Sequence, residues 1–120
     1  MIKKFAALTL LACITLAMTG IQAMAQNQPS VKTMAASVTG STVTVAWTLP
    51  RMWVNPDPAK QGYIVVAYLR NGPRVVQLAF PLAVQTCQFD LPPGEYVVEV
   101  YAHSAGYADS QPKRQRITVN

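Results

Sequence analysis

The stretch that most constrains the fold runs from Leu91 to Ala102 and reads LPPGEYVVEVYA. A Pro-Pro-Gly corner leads directly into β-branched and aromatic residues, which is typical of a tight bend entering a central strand. Before the bend, Cys87, Phe89 and Leu91 alternate with polar residues. After it, apolar side chains again occupy every second position. Two segments of period two that meet at a rigid corner predict a pair of strands facing one core.

The first 25 residues of the 120-residue chain are predicted to be a signal peptide. Lys3 and Lys4 precede an apolar run over residues 5–18, and residues 23–25 (Ala-Met-Ala) offer a small-x-small cleavage site. The run is too short and too interrupted for a permanent membrane span. We therefore expect an exported protein, secreted or periplasmic. The alternative is a lipoprotein box ending at Cys13, which would anchor the protein through a lipid, although apolar sequence continues past it.

The remainder, residues 26–120, has the length of one small domain. Of the ten basic and five acidic side chains, only Lys3 and Lys4 precede it, so a net charge of about +3 remains when His103 is neutral. The densest basic cluster is the short group within residues 113–116. This charge pattern does not predict a nucleic-acid partner.

Seven segments have the alternation or the apolar runs of β-strands: residues 31–39, 41–49, 62–70, 73–80, 84–91, 95–103 and 114–120. The third is apolar on both faces, as expected of a central strand, and Asn71-Gly72 after it is a strong hairpin signal. Amphipathic helical periodicity and repeats are absent from the pattern. The sequence therefore predicts an all-β, seven-stranded antiparallel sandwich.

Features in this order resemble those of a fibronectin type III domain. The second strand ends in Trp47, which a proline loop follows, and Leu91 and Tyr96 resemble the family's Leu-x-Pro-Gly-x-x-Tyr corner. Those two residues are one position closer than the usual spacing, as in bacterial immunoglobulin-like domains with a shorter corner. In the third strand, Ile64, Val66 and Tyr68 resemble the family's Tyr-x-Val-x-Tyr-Arg pattern.

The resemblance covers residues 30–120 and implies an immunoglobulin-like β-sandwich of the fibronectin type III kind. It also implies structural core positions for Trp47, Leu91 and Tyr96. The family is a scaffold for binding and spacing, so the fold does not name a function.

Side chains suited to catalysis are scattered. His103 and Glu99 share a strand face but are four residues apart, roughly 13 Å, which is too far for a dyad. Zinc-binding Cys/His clusters, calcium loops and phosphate-binding glycine motifs are not found. Cys87 falls on an inward strand face, which predicts a buried, unreactive thiol. We predict a protein that is not an enzyme and has no metal or cofactor.

The first candidate binding surface combines two loops, residues 51–60 and 104–112. If the sheet order of the resembling family holds, both lie at one pole, and the residues brought together there are Arg51, Trp53, Asn55, Tyr107 and Asp109. Aromatic anchors on loops over a rigid sandwich are typical of binding modules. The alternative is that Trp53 folds back to cover the core.

The second candidate is the outer face of the third and sixth strands. If Ile64, Val66 and Tyr68 point inward, this face carries Tyr63, Val65, Leu69, Val97 and Tyr101. Such a patch would favour docking. Because the third strand is apolar on both faces, the opposite register stays open. The sequence thus predicts an exported binding or adhesion module for a protein or carbohydrate ligand. A structural subunit that self-associates in an envelope or extracellular assembly is the alternative.

Overall fold

Alternating apolar residues and short turns build seven β-strands. A computed structural model of the protein describes residues 29–120, so the predicted signal peptide and the Cys13 motif lie outside the described residues. The strands are β1 (Met34–Thr39), β2 (Thr42–Trp47), β3 (Gln61–Leu69), β4 (Arg74–Pro81), β5 (Thr86–Asp90), β6 (Gly94–Ser104) and β7 (Lys113–Val119). All seven predicted strands are confirmed, with ends that differ by a few residues. No helix long and apolar enough to cross a bilayer occurs between residues 29 and 120.

The strands form two antiparallel sheets, in the order β1-β2-β5 and β4-β3-β6-β7. Side chains that alternate along each strand fill the space between the sheets. In β2 the inward set is Val43, Val45 and Trp47, all buried, as the alternation predicted. In β6 the inward set begins at Tyr96 and includes Val98, which is fully buried. The core therefore depends on packing between the two inner faces.

The corner between β5 and β6 has the predicted structure. Leu91 and Tyr96 are buried, and the Tyr96 hydroxyl donates a hydrogen bond to the Pro92 carbonyl oxygen at 2.6 Å. A tyrosine hydroxyl that binds the backbone a few residues upstream is the tyrosine corner of immunoglobulin-like sandwiches. The shorter spacing between Leu91 and Tyr96 is thus compatible with this corner.

The predicted register of β3 is wrong by one residue. Tyr63, Val65 and Ala67 point into the core, with at most 1% of each residue exposed, whereas Ile64 and Tyr68 face outward. β3 pairs with β6 without a register shift, so Tyr63, Val65 and Ala67 lie opposite the inward residues of β6. The β3–β4 hairpin contains a β-bulge, because Tyr68 pairs with Arg74 but Ala67 pairs with Val76, which leaves Val75 as the extra residue.

The two edges of the sandwich differ. On one side, the Gln115 side chain of β7 bridges the sheets by accepting a hydrogen bond from the Ala36 nitrogen at 2.9 Å and donating one to the Ala36 oxygen at 2.7 Å. On the other side lies β4, which pairs with β3 alone among the strands of residues 29–120. β4 is therefore an edge strand.

Candidate binding surface

The loops after β2 and β6 meet at one end of the sandwich, as expected. β3 begins where β6 ends, since Gln61 pairs with Ser104, and the Ala105 nitrogen donates to the Lys60 carbonyl oxygen at 2.8 Å. The β4–β5 connection reaches the same end, because Gly62 pairs with Pro81. We refer to residues 48–60, 82–85 and 105–112 as the loop pole.

Trp53 covers the core at the loop pole. Its ring centroid lies 6.2 Å from that of Tyr63, and Tyr63 in turn lies 5.5 Å from Trp47. Trp53 is partly buried and packs against the core cluster, whereas Trp47 is 2% exposed. The alternative in which Trp53 folds back over the core is therefore the observed one, with part of the ring still accessible.

The other residues predicted at the pole divide into two groups. Arg51, Asn55 and Tyr107 are exposed on the loops, and Asn55 adopts a φ of 54° in a turn. Asp109 instead turns towards the sheet, where its Oδ1 lies 2.8 Å from His103 Nδ1. Their binding roles stay predictions.

A continuous surface lies on the outside of the four-stranded sheet. Its central residues come from the outward positions of β3 and β6: Ile64, Val66, Tyr68, Val97, Glu99 and Tyr101. We refer to these residues, with Arg74 and Gln77 of β4 and Arg114 of β7, as the four-strand outer face. Of the residues predicted for this face, Leu69, Val97 and Tyr101 are accessible. Tyr63 and Val65 belong to the core, where burial raises the pKa of the Tyr63 hydroxyl.

Glu99 organises the middle of this face. Only 7% of the residue is exposed, and its two carboxylate oxygens have different partners. The Tyr101 hydroxyl donates to Oε1 at 2.5 Å, and Arg114 Nη2 lies 3.0 Å from Oε2. A buried carboxylate held by a hydroxyl and a guanidinium is satisfied, so it orients both neighbours rather than binding a further cation.

Burial raises the pKa of Tyr101 above its ordinary value of 10, and the hydrogen bond and negative charge of Glu99 raise it further. Tyr68 contributes in the same direction, and the two tyrosines line one depression of the face. At neutral pH the Tyr101 hydroxyl is therefore protonated and donates to Glu99. The two rings and the carboxylate form one unit on the surface.

Tyr68 lies between two depressions in the face. One, of about 280 Å³, is lined by Ile64, Val66, Tyr68, Arg74, Gln77, Tyr101 and Asp109. The other, of about 320 Å³, is lined by Tyr68, Leu69, Asn71, Gly72, Val97, Glu99 and Arg114. The Arg74 guanidinium lies 5.8 Å from the Tyr68 ring centroid and donates to the Gln77 side chain, so the ring is held from one side.

This arrangement suits binding better than reaction. Cys87 is the thiol of the described region, and burial raises its pKa to about 11, so it is protonated at neutral pH and a poor nucleophile. Among residues 29–120, no group of three or more His, Cys, Asp or Glu side chains could hold a metal ion. What the face offers is aromatic surface, two depressions and fixed hydrogen-bonding groups.

Reasoning from the sequence missed much of this surface. It placed Ile64, Val66 and Tyr68 inside, and it did not single out Arg74, Gln77 or Arg114. One signal was available: Glu99 and Arg114 are direct cross-strand partners in the β6–β7 hairpin, and opposite charges at such positions attract. The His103–Asp109 pair was missed because only positions along the strand were compared, not the loop that follows it.

Comparisons with known proteins bear on the fold. No protein-family model matches the chain, and no curated protein matches it. Among solved structures, a fibronectin type III domain of human collagen XX matches with a TM-score of 0.63 and 18% identity, covering 78% of this chain and 94% of that one. Domains d3–d4 of rat CD45 match with a TM-score of 0.65 and 17% identity, covering 79% of this chain and 51% of that one.

A third match is part of an enzyme. The Clostridium perfringens spore cortex lytic enzyme SleM aligns with a TM-score of 0.54 and 17% identity over 76% of this chain, but over only 28% of its own. At such identities a likeness describes architecture and does not transfer activity. The chain is an all-β sandwich with the fold of fibronectin type III domains.

Proposed function

We propose that this protein is an exported, non-catalytic binding module that docks a partner protein on the four-strand outer face. The observation that carries the proposal is the position of Tyr68, a partly buried ring between two depressions on a sheet face. No helix of residues 29–120 covers that face. A binding or structural module is what this fold commonly provides. Export is part of this proposal, because it depends on the predicted signal peptide of residues 1–25, which lies outside the described residues.

The composition of the face supports a protein as the ligand. Tyrosine and arginine dominate the binding energy of protein interfaces because they combine large contact area with directed hydrogen bonds. Here Tyr68, Tyr101 and Arg74 lie together, beside the aliphatic side chains of Ile64 and Val66. An aromatic and aliphatic centre with a polar rim is the usual anatomy of such an interface.

Charge indicates the kind of partner. Arg74, Arg114 and Arg116 lie on or beside the face, and Lys113 follows at the start of β7. Glu99 is paired with Arg114, and Asp109 is paired with His103. The basic side chains exceed the acidic ones, so the proposed partner surface is acidic around an apolar anchor.

Photo-crosslinking in cells of the source organism tests this proposal. A photoreactive amino acid replaces Ile64, a partly exposed residue of the four-strand outer face, or Thr44 on the outside of the other sheet as the matched control. We expect a partner adduct from position 64 and none from position 44, and loss of that adduct when Arg74→Glu is added. Equal adducts at both positions, or an adduct indifferent to Arg74→Glu, would contradict docking on this face.

Self-association is a second candidate, favoured by the open edge of β4. Residues 75–80 contain no charged side chain, and an unpaired edge of this kind can accept another strand. Two copies in antiparallel pairing would place Arg74 of one near Pro81 of the other, which avoids arginine beside arginine. In the crosslinking experiment an adduct of twice the chain mass, together with a dimer in light scattering, would favour this alternative over a separate partner.

A further inference from the structure

The first half of the β2–β3 loop presents two apolar side chains to solvent. The Trp53 nitrogen donates to the Pro50 carbonyl oxygen at 3.0 Å, closing a turn with Arg51 and Met52 at its corners. Trp53 then points back to the core. Met52 and Val54 on either side of it are 78% and 79% exposed. The other exposed large hydrophobic residues of the described chain, Leu69, Val75 and Tyr107, are at most 45% exposed.

This exposure belongs to a well-held loop. The Asp57 carbonyl oxygen accepts hydrogen bonds from the nitrogens of Lys60 and Gln61, and the Asp57 nitrogen donates to Gln61 Oε1 at 2.6 Å. Prolines at positions 50, 56 and 58 reduce the freedom of the backbone. Trp53 also anchors the loop to Tyr63, so Met52 and Val54 flank a residue that packs against the core.

The neighbouring loop adds an aromatic group at the same pole. Tyr107 of the β6–β7 loop is 45% exposed, and that loop is tied to the first by the hydrogen bond from Ala105 to Lys60. The loop pole therefore carries protruding aliphatic groups together with a tryptophan and a tyrosine. Aromatic residues with one polar end are suited to the boundary between an apolar phase and water.

Three basic side chains lie at the pole or its base, against the two carboxylates of Asp57 and Asp109. Arg51 and Lys60 are exposed on the same loop as Met52, and Lys32 is joined to its base by a hydrogen bond to the Thr48 carbonyl oxygen. Each carboxylate has a local partner, since Asp57 Oδ1 accepts from the Ala59 nitrogen and Asp109 faces His103. The three basic side chains form a basic collar around the apolar tip, and their excess of one over the carboxylates complements an anionic surface.

We propose that the loop pole inserts Met52 and Val54 into the surface of a lipid bilayer that contains anionic lipids, with Arg51, Lys60 and Lys32 facing the headgroups. A bilayer accepts isolated protruding side chains, whereas a stable protein interface needs a broad complementary area of roughly 800 Å² on each side. Basic residues near an anionic bilayer add electrostatic attraction. Met52 and Val54 lie outside the four-strand outer face, although Asp109 of the loop pole lines its first depression.

Vesicle binding tests the proposal. Phosphatidylcholine vesicles with and without phosphatidylglycerol are mixed with the full chain, and separately with residues 29–120, which contain all seven strands and the core cluster. Parent and variant are compared within each form, so any contribution of residues 1–28 is common to both. We expect binding that requires phosphatidylglycerol, and about tenfold weaker binding for Met52→Ser combined with Val54→Ser. The control Val75→Ser, an exposed residue on β4 away from the pole, should bind as the parent does.

Tryptophan fluorescence gives a second readout. Trp47 is buried in the core, so a blue shift of the emission on adding vesicles reports on Trp53. An unchanged thermal midpoint in the double variant verifies that its fold is intact. The proposal is overturned if the parent does not bind these vesicles, or if the double variant binds as tightly as the parent. Binding to pure phosphatidylcholine with equal strength would also overturn it, since the basic collar would then have no role.

Discussion

The outer faces of the two sheets differ although both belong to one small sandwich. Outside the three-stranded sheet, the side chains are small or polar: Ala35, Ser37, Thr39, Thr42, Thr44, Ala46, Thr86, Gln88 and Asp90. They bond to each other, since Thr42 Oγ1 donates to Asp90 Oδ1 at 2.8 Å and Gln88 Nε2 donates to Thr44 Oγ1 at 3.1 Å. This is a surface adapted to water.

Outside the four-stranded sheet, the corresponding positions carry aromatic and branched aliphatic residues around a buried carboxylate. An antiparallel sheet needs only one apolar face to fold. The three-stranded sheet shows this, because its inner face is apolar and its outer face is polar. The large side chains of Ile64, Val66 and Tyr68 therefore go beyond what a solvated sheet face needs. The difference teaches that the candidate binding surface is a property of one sheet and not of the fold.

The largest expected effect distinguishes the inner side of β3 from its outer side. Val65→Lys should unfold the protein, because a lysine would be buried without a partner among Val43, Val98 and other core residues, at more than about 4 kcal/mol. Ile64→Lys on the outer side should stay folded, since a lysine there can extend its ammonium group into water. Chemical denaturation monitored by circular dichroism measures both. A folded Val65→Lys protein would contradict the observed register.

The next effect concerns the buried carboxylate of the four-strand outer face. Glu99→Ala removes the acceptor of the Tyr101 hydroxyl and the partner of Arg114, so we expect a loss of about 1–3 kcal/mol in the free energy of unfolding. Asp90→Ala on the three-stranded sheet is the matched control and should cost about 0.5 kcal/mol or less, because Asp90 is exposed. Equal losses would mean that the two outer faces are energetically alike.

A smaller effect appears at alkaline pH. The pKa of Tyr101 is raised in the folded state, so the stability linked to its protonated form is present below pH 10 and is lost as the pH rises through the folded pKa. Tyr101→Phe should be less stable near pH 8, because its bond to Glu99 is gone, but its stability should fall less steeply above pH 10. Urea denaturation at several pH values checks this. Parallel curves for both proteins would show that Tyr101 ionises normally.

The smallest effect is expected on the threonine-rich side. Thr44→Ala removes one exposed hydrogen bond with Gln88 and should change the free energy of unfolding by about 0.5 kcal/mol or less. It should also leave partner capture through position 64 unchanged. A larger loss of stability, or a loss of capture, would extend the functional surface to both sheets.

The sequence by itself determined the strands, the sandwich and much of the core. Val43, Val45 and Trp47 alternate with small polar residues, so only one face of β2 can be buried. In β6 the period of two that begins at Tyr96 predicted the inward set correctly. Local chemistry also determined the corner, since two prolines and a glycine before an apolar run leave the chain few other conformations. These features depend on neighbouring residues and are readable without the fold.

Only the tertiary structure decided the register of β3 and the composition of the candidate site. Both faces of β3 are apolar, so the choice fell to its pairing with β6, in which Val65 lies opposite Val100 and Ala67 lies opposite Val98. The unit of Tyr101, Glu99 and Arg114 exists because two strands align, and Asp109 joins His103 because a loop folds back onto the sheet. Contacts between residues that are distant in sequence depend on how whole strands and loops are arranged in space. The local pattern of residues does not specify that arrangement.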